Sequence, residues 1–254
     1  MGKFLQLFKQ TITYGIATVF PRIISVILVR VHTDKSVISE VSEFGTLSLI
    51  FSYIILFNVI LSYGLETSFF RFYNKEKNKK DVLNTAAVSI LISSFLFASI
   101  FSIFKINISH FTGISTGYLS IIVWILVADA LTVIPFAYLR LKGSAIKYSV
   151  VKIVNVIIYF SLNIFLLIFL KDLIHSYEIF ESIYVENYEV AYIFIANLIA
   201  SISSLLLLLP FYFEINYKAN IELLKRMLAY GFPILISGLA FTCLLYTSPS
   251  PRDC

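Results

Sequence analysis

Long apolar stretches alternate along the chain with short polar joints. Six stretches of mostly apolar residues fall at 11–31, 44–65, 82–104, 118–139, 148–170 and 190–211. A membrane-crossing helix needs about 20 such residues, so each reads as one span. A seventh begins near Met227. The expected fold class is all-α: a polytopic transmembrane helix bundle, with a six-helix lobe over 1–212 and a further helix starting within 213–242. The joints are too short to hold a soluble domain.

Composition agrees. Hydrophobic residues make up 59% and charged residues 14% of the chain, against roughly a quarter charged in soluble domains. Mean hydropathy is +0.88. The net charge of +5 reports joint lysines that set orientation, and no nucleic-acid surface is expected. The first apolar stretch is long and lacks a small-residue cleavage site, so no cleavable signal is read.

The joints differ in charge. One set carries Lys3 and Lys9; Arg71, Lys75, Lys77, Lys79 and Lys80; Arg140, Lys142 and Lys147, with Lys152 just beyond; and Lys218, Lys225 and Arg226. The other holds only Lys35, Lys105 and Lys171, with Arg30 near the boundary, and collects Asp34, Glu40, Glu43, Asp172, Glu178, Glu181, Glu186 and Glu189. Basic joints stay in the cytoplasm, so the N-terminus is expected there.

Residues 243–253 read CLLYTSPSPRD, which resembles the in-frame translation of a transposase-type sequencing adapter. Residues 243–254 are therefore expected to be a non-native tail, with the native chain stopping near Thr242 inside a truncated seventh helix. Both cysteines, Cys243 and Cys254, belong to that tail. No disulfide, thiolate metal site or cysteine nucleophile is expected elsewhere.

An internal repeat links the two ends. LFKQTITYGI at 7–16 and LLKRMLAYGF at 223–232 share Leu, Lys, Tyr and Gly in register. The expectation is a second half starting in parallel orientation, a device of transporters.

Charged groups inside a bilayer are costly and usually face a cavity or a partner. Arg22 lies about eleven residues, or roughly 16 Å, into helix one, near the middle of a hydrocarbon core about 30 Å thick. Asp129 lies at similar depth in the fourth span. Two readings stand side by side: a structural Arg22–Asp129 pair, or an Arg22 that faces a lumen and meets phosphate with its planar fork. Pro21 beside it should kink the helix. Arg30 reads as a second rung for phosphate or as a side chain snorkelling to the headgroups.

Polar stripes recur at helical spacing: Asn58, Ser62 and Glu66; Asn155, Tyr159 and Asn163; Asn197 and Ser201. They are expected to turn away from lipid, either to join helices at roughly 0.6 kcal/mol per hydrogen bond or to line a cavity for sugar hydroxyls. His32, His110 and His175 are scattered without ligand spacing, so no metal is expected. No phosphate-binding glycine loop is present, so neither cofactor nor ATPase activity is expected.

Four segments carry a family resemblance: FKQTITYGIATVFPRIISVILVR at 8–30, YGLETSFFRFYNKE at 63–76, DALTVIPFAYLRLKGSAIKYSVVKIVNVIIYFSLNIFL at 129–166 and LLKRMLAYGFPILISGLA at 223–240. In order and spacing they resemble the bacterial polysaccharide transporters, the O-antigen and capsule flippases of the multidrug, oligosaccharidyl-lipid and polysaccharide exporter superfamily. The resemblance implies two six-helix lobes around a central cavity that opens alternately to each side and holds cations. It implies a non-enzymatic flippase in the bacterial inner membrane, moving undecaprenyl-diphosphate-linked oligosaccharide for surface polysaccharide synthesis. Its partners would be the lipid-linked oligosaccharide, membrane lipids and the polysaccharide polymerase and chain-length proteins. Arg22, Arg30, Asn58, Glu66, Asp129, Asn155, Tyr159, Asn163 and Asn197 are the cavity candidates. Two alternatives remain: a cation-coupled multidrug exporter of the same superfamily, using Glu66 and Asp129, and a membrane-embedded polysaccharide-processing enzyme.

Overall fold

The computed structural model describes residues 2–33, 41–170 and 188–247. Nine α-helices are found among them: α1 (Gly2–His32), α2 (Val41–Ser62), α3 (Leu65–Lys75), α4 (Lys79–Ile103), α5 (Lys105–Thr112), α6 (Thr116–Leu141), α7 (Ala145–Ile164, continued by a π-helical turn over Phe165–Phe169), α8 (Glu189–Phe213) and α9 (Ile221–Thr247). No strand occurs among the described residues. Among the described residues seven segments are long and apolar enough to cross a membrane, α2 and α3 counting as one over Glu43–Lys75. The chain is an all-α, multi-pass membrane protein, as its apolar pattern predicts. The joint bearing Lys171, Asp172, His175, Glu178, Glu181 and Glu186, the joint bearing Asp34, Lys35 and Glu40, and residues 248–254 of the expected tail lie outside the described residues.

Helix α6 is the axis of the bundle. It packs against α8, α4, α2 and α3, and its Ile125, Leu126, Ile134 and Ala137 are fully buried. They meet the equally buried Ile193 and Phe194 of α8, Val82 and Ile90 of α4, Ile50 of α2 and Phe69 of α3. Small residues such as Ala130 and Ala137 let helices approach where lipid offers no hydrophobic drive for association. Helix α1 packs chiefly on α7, and α9 on α2, α3 and α4. The outer faces present Val26, Ile92, Leu96, Trp124 and Leu206 uncovered, an apolar girdle that suits hydrocarbon.

The second span departs from its predicted length. Sequence placed its end at residue 65, but the helix resumes as α3 and runs to Lys75 after a break at Tyr63 (φ 32°) and Gly64 (φ 67°). Leu65, Phe69 and Phe72 bury one side of α3 while Glu66, Arg71 and Lys75 stay out of the core. That amphipathic pattern lowers its mean hydropathy and hides it from a search for uniformly apolar runs. The short α5 in the joint after α4 was not foreseen either.

Glycine fits the break for two reasons. Gly64 holds a left-handed φ that side chains disfavour, and its missing side chain admits the Gly231 carbonyl of α9. Ser68 Oγ then donates to the Met227 carbonyl at 2.8 Å, and Arg71 lies 4.1 Å over the Tyr230 ring. The repeat partners Gly15 and Gly231 thus sit differently: no atom would crowd a side chain at Gly15.

At Pro135 the carbonyl that the proline releases is paired again. Pro135 in α6 offers no N–H to the Leu131 carbonyl four residues earlier. Tyr212 of α8 donates its hydroxyl to that carbonyl at 2.5 Å. Helix α1 stays helical through Pro21.

Candidate functional site

Mostly polar side chains from five helices meet in one cavity of about 380 Å³. Asn58 comes from α2, Glu66 from α3, Asp129, Thr132, Phe136 and Arg140 from α6, Tyr148, Lys152 and Asn155 from α7, and Asn197, Ser201 and Ser204 from α8. The spacings explain the convergence. Positions 129, 132, 136 and 140 repeat at three to four residues on α6, as do 148, 152 and 155 on α7 and 197, 201 and 204 on α8. Each set makes one helical stripe. From Asp129 to Arg140 the cavity follows α6 for about 16 Å at 1.5 Å per residue.

Asp129 forms its inner end. Asn58 Nδ2 donates to Oδ2 at 3.3 Å and Ser201 Oγ donates to Oδ1 at 2.7 Å, so three helices share one carboxylate. Lys152 faces the same space, its Nζ 4.4 Å from the Phe136 ring centre. It makes no hydrogen bond or ion pair among the described residues, and Asp129 and Glu66 attract it at longer range. At the other end Arg140 Nη2 pairs with Glu66 Oε1, both about one-third exposed. The Arg140 guanidinium also lies 5.2 Å over Phe70 and 5.6 Å over Tyr148. This outer end lies with the basic joints, where Arg226 of α9 pairs with Glu76 at 2.9 Å.

The cavity therefore holds two carboxylates and two cations, with amides and hydroxyls between them. A buried charge needs a counter-charge or strong hydrogen bonds to persist in a low-dielectric interior. Here the balance is near neutral, yet Lys152 remains open to an additional anionic or hydroxyl-bearing guest.

Five of the nine sequence candidates line this space: Asn58, Glu66, Asp129, Asn155 and Asn197. Asn163 does not. It is buried beside α1, where its Oδ1 lies 3.0 Å from His32 Nε2, and its Nδ2 donates to the Tyr159 carbonyl at 2.8 Å. Tyr159 is half-buried and also lies off the cavity lining. The lower part of the α7 stripe thus joins helices. Ser62 likewise turns inward on its own helix, bonding the Val59 carbonyl.

Arg22 and Arg30 lie elsewhere. Both are exposed on α1 and outside the cavity. At 100° per residue each falls on the side of α1 opposite Ala17 and Leu28, which are buried where α1 meets α7. The Arg22–Asp129 pair, one of the two readings of these charges, is not formed; Asn58 and Ser201 hold the carboxylate. Sequence reading counted Lys152 and Arg140 as joint charges. The missed signal was the three-residue step from Lys152 to Asn155, which places the lysine on the polar stripe.

Among the described residues no cluster of three or more metal-binding side chains occurs. Comparison with family models, with curated proteins and with solved structures finds no match to this chain.

Proposed function

We propose that the chain forms the first lobe of a flippase for undecaprenyl-diphosphate-linked oligosaccharide in the bacterial inner membrane. The observation that carries this reading is the charged cavity running between mid-membrane and the basic end of the bundle. Basic joints belong in the cytoplasm, so the outer mouth at Arg140 and Glu66 would open towards the leaflet where such lipids are assembled. Arg140 and Lys152 would meet the diphosphate, since cations form the stronger, charge-assisted hydrogen bonds to phosphate oxygens. Asn58, Asn155, Asn197, Ser201 and Ser204 would take up sugar hydroxyls. The polyprenyl tail would stay in lipid, beside the apolar outer faces. An arriving diphosphate competes with Glu66 for Arg140, loosening the tie between α3 and α6.

Asp129 favours a second reading, a cation-coupled exporter of the same superfamily. A carboxylate with two neutral donors at mid-membrane suits a proton or an organic cation.

Reconstitution separates the two. Proteoliposomes carrying the two-lobe protein that contains this chain, together with a fluorescent polyprenyl-diphosphate trisaccharide, are treated with a membrane-impermeant reductant. The flippase reading expects the inner-leaflet label to become reducible, and Lys152→Ala to slow this. Uptake of a cationic dye that Asp129→Asn abolishes, with the glycolipid label left protected, would favour the exporter.

A further inference from the structure

A second recess lies on the flank of the bundle, away from the charged cavity. It measures about 600 Å³ and is walled by Pro135 and Leu139 of α6, Val150 and Val151 of α7, and Leu207, Leu208 and Phe211 of α8, within the roughly 300–1,000 Å³ of ligand sites. Its lip carries Lys142, Lys147, Ser144 and Glu214. Val150 and Leu207 are each 50% exposed, so the recess opens sideways, where lipid would lie. The lip falls where the spans Thr116–Leu141 and Ala145–Phe169 meet and Glu189–Phe213 ends, which is headgroup level. Lys9 and Lys147 face the adjoining recess across the turn at Gly143, adding positive charge on the same side. Lys142 is exposed and stays charged: the Tyr138 side chain, its ring centre 5.4 Å from Nζ, holds the lysine pKa above its usual value.

We propose that this recess seats an anionic glycerophospholipid, its phosphate between Lys142 and Lys147 and an acyl chain along Val150, Leu207 and Phe211. The argument is charge complementarity at the right depth. Basic pockets between membrane helices bind anionic headgroups, and an apolar trough directly beneath the lysines takes the chain. Glu214 on the same lip disfavours a second negative group, which selects a single-phosphate headgroup over a diphosphate. The site does not depend on the flippase reading, only on the chain crossing a bilayer.

Native mass spectrometry of protein released from mixed micelles tests it. The probes are phosphatidylglycerol, phosphatidylethanolamine and a polyprenyl diphosphate at equal concentration. Phosphatidylglycerol is expected to be retained in preference. The double variant Lys142→Gln with Lys147→Gln should weaken retention by more than tenfold, at about fivefold per lysine, while Lys142→Arg with Lys147→Arg keeps it. A control double variant, Lys77→Gln with Lys80→Gln, removes two distant charges and should change nothing. Val150→Trp fills the trough without altering charge and should also displace the lipid. Equal retention by the Lys142/Lys147 and Lys77/Lys80 variants overturns the proposal, as does retention without headgroup preference. Preferential retention of the polyprenyl diphosphate overturns it too, and assigns the trough to the glycolipid tail.

Discussion

Ser201 and Asp129 are joined at 2.7 Å, and that bond ties α8 to the central helix at mid-depth. Asn58 completes the arrangement from α2. Interhelical hydrogen bonds in bilayers contribute about 0.6 kcal/mol on average, so Ser201→Ala should lower stability by roughly that amount. Asp129→Ala should cost more, about 1–3 kcal/mol, because it strips two donors of their acceptor and Lys152 of its nearest counter-charge. Unfolding titrations in mixed micelles read both values. Equal effects of the two changes would show that Asp129 is not the shared hub.

Gly64 and Gly231 permit the crossing of α3 and α9. A Cβ at Gly231 would lie 2.9 Å from Ser68 Oγ and 2.9 Å from the Tyr63 carbonyl. Gly231→Ala should therefore lower the thermal midpoint in detergent, whereas Gly15→Ala at the matching repeat position should not. Ser68→Ala in the Gly231→Ala background should recover part of the loss, since one of the two clashing atoms is gone. A neutral Gly231→Ala would mean that α9 does not dock here.

Tyr212→Phe should cost about 1–3 kcal/mol by leaving the Leu131 carbonyl unpaired in the interior. Pro135→Ala restores the N–H that the carbonyl lacks. In the Tyr212→Phe background it should be stabilising, and in the parent much less so. A double-mutant cycle on unfolding free energy measures the coupling, and additivity of the two changes would contradict the account.

Helix placement was legible because bilayer crossing demands long, uniformly apolar runs, and these survive any detail of packing. The Lys and Arg bias between joints gives an orientation that rests on the sequence alone. A reporter fused near Lys79 should read cytoplasmic and one near Glu181 periplasmic, and the reverse at both sites would overturn that orientation. The site was legible only in part. Asn58, Glu66, Asp129, Asn155 and Asn197 line the cavity because polar residues amid apolar ones have little choice but to turn inward. Arg22 lies outside this cavity because depth along a helix says nothing about azimuth, and the azimuth of α1 is set by how Ala17 and Leu28 meet α7. Lys152 was hidden by its closeness to a basic joint. The break at Gly64 was hidden because its cause, the backbone of Gly231, lies 167 residues away in the sequence.

Binding of the glycolipid headgroup to the cavity tests the central claim most directly. A fluorescent polyprenyl-diphosphate trisaccharide is titrated into the detergent-solubilised chain, with polyprenol and free trisaccharide as competitors. The account predicts saturable binding that polyprenol does not displace. Lys152→Ala and Arg140→Ala should each weaken it by about tenfold or more, the loss expected for one hydrogen bond to a charged group, while Arg30→Ala leaves it unchanged. Binding that ignores both cavity cations, or that polyprenol alone displaces, would contradict the account.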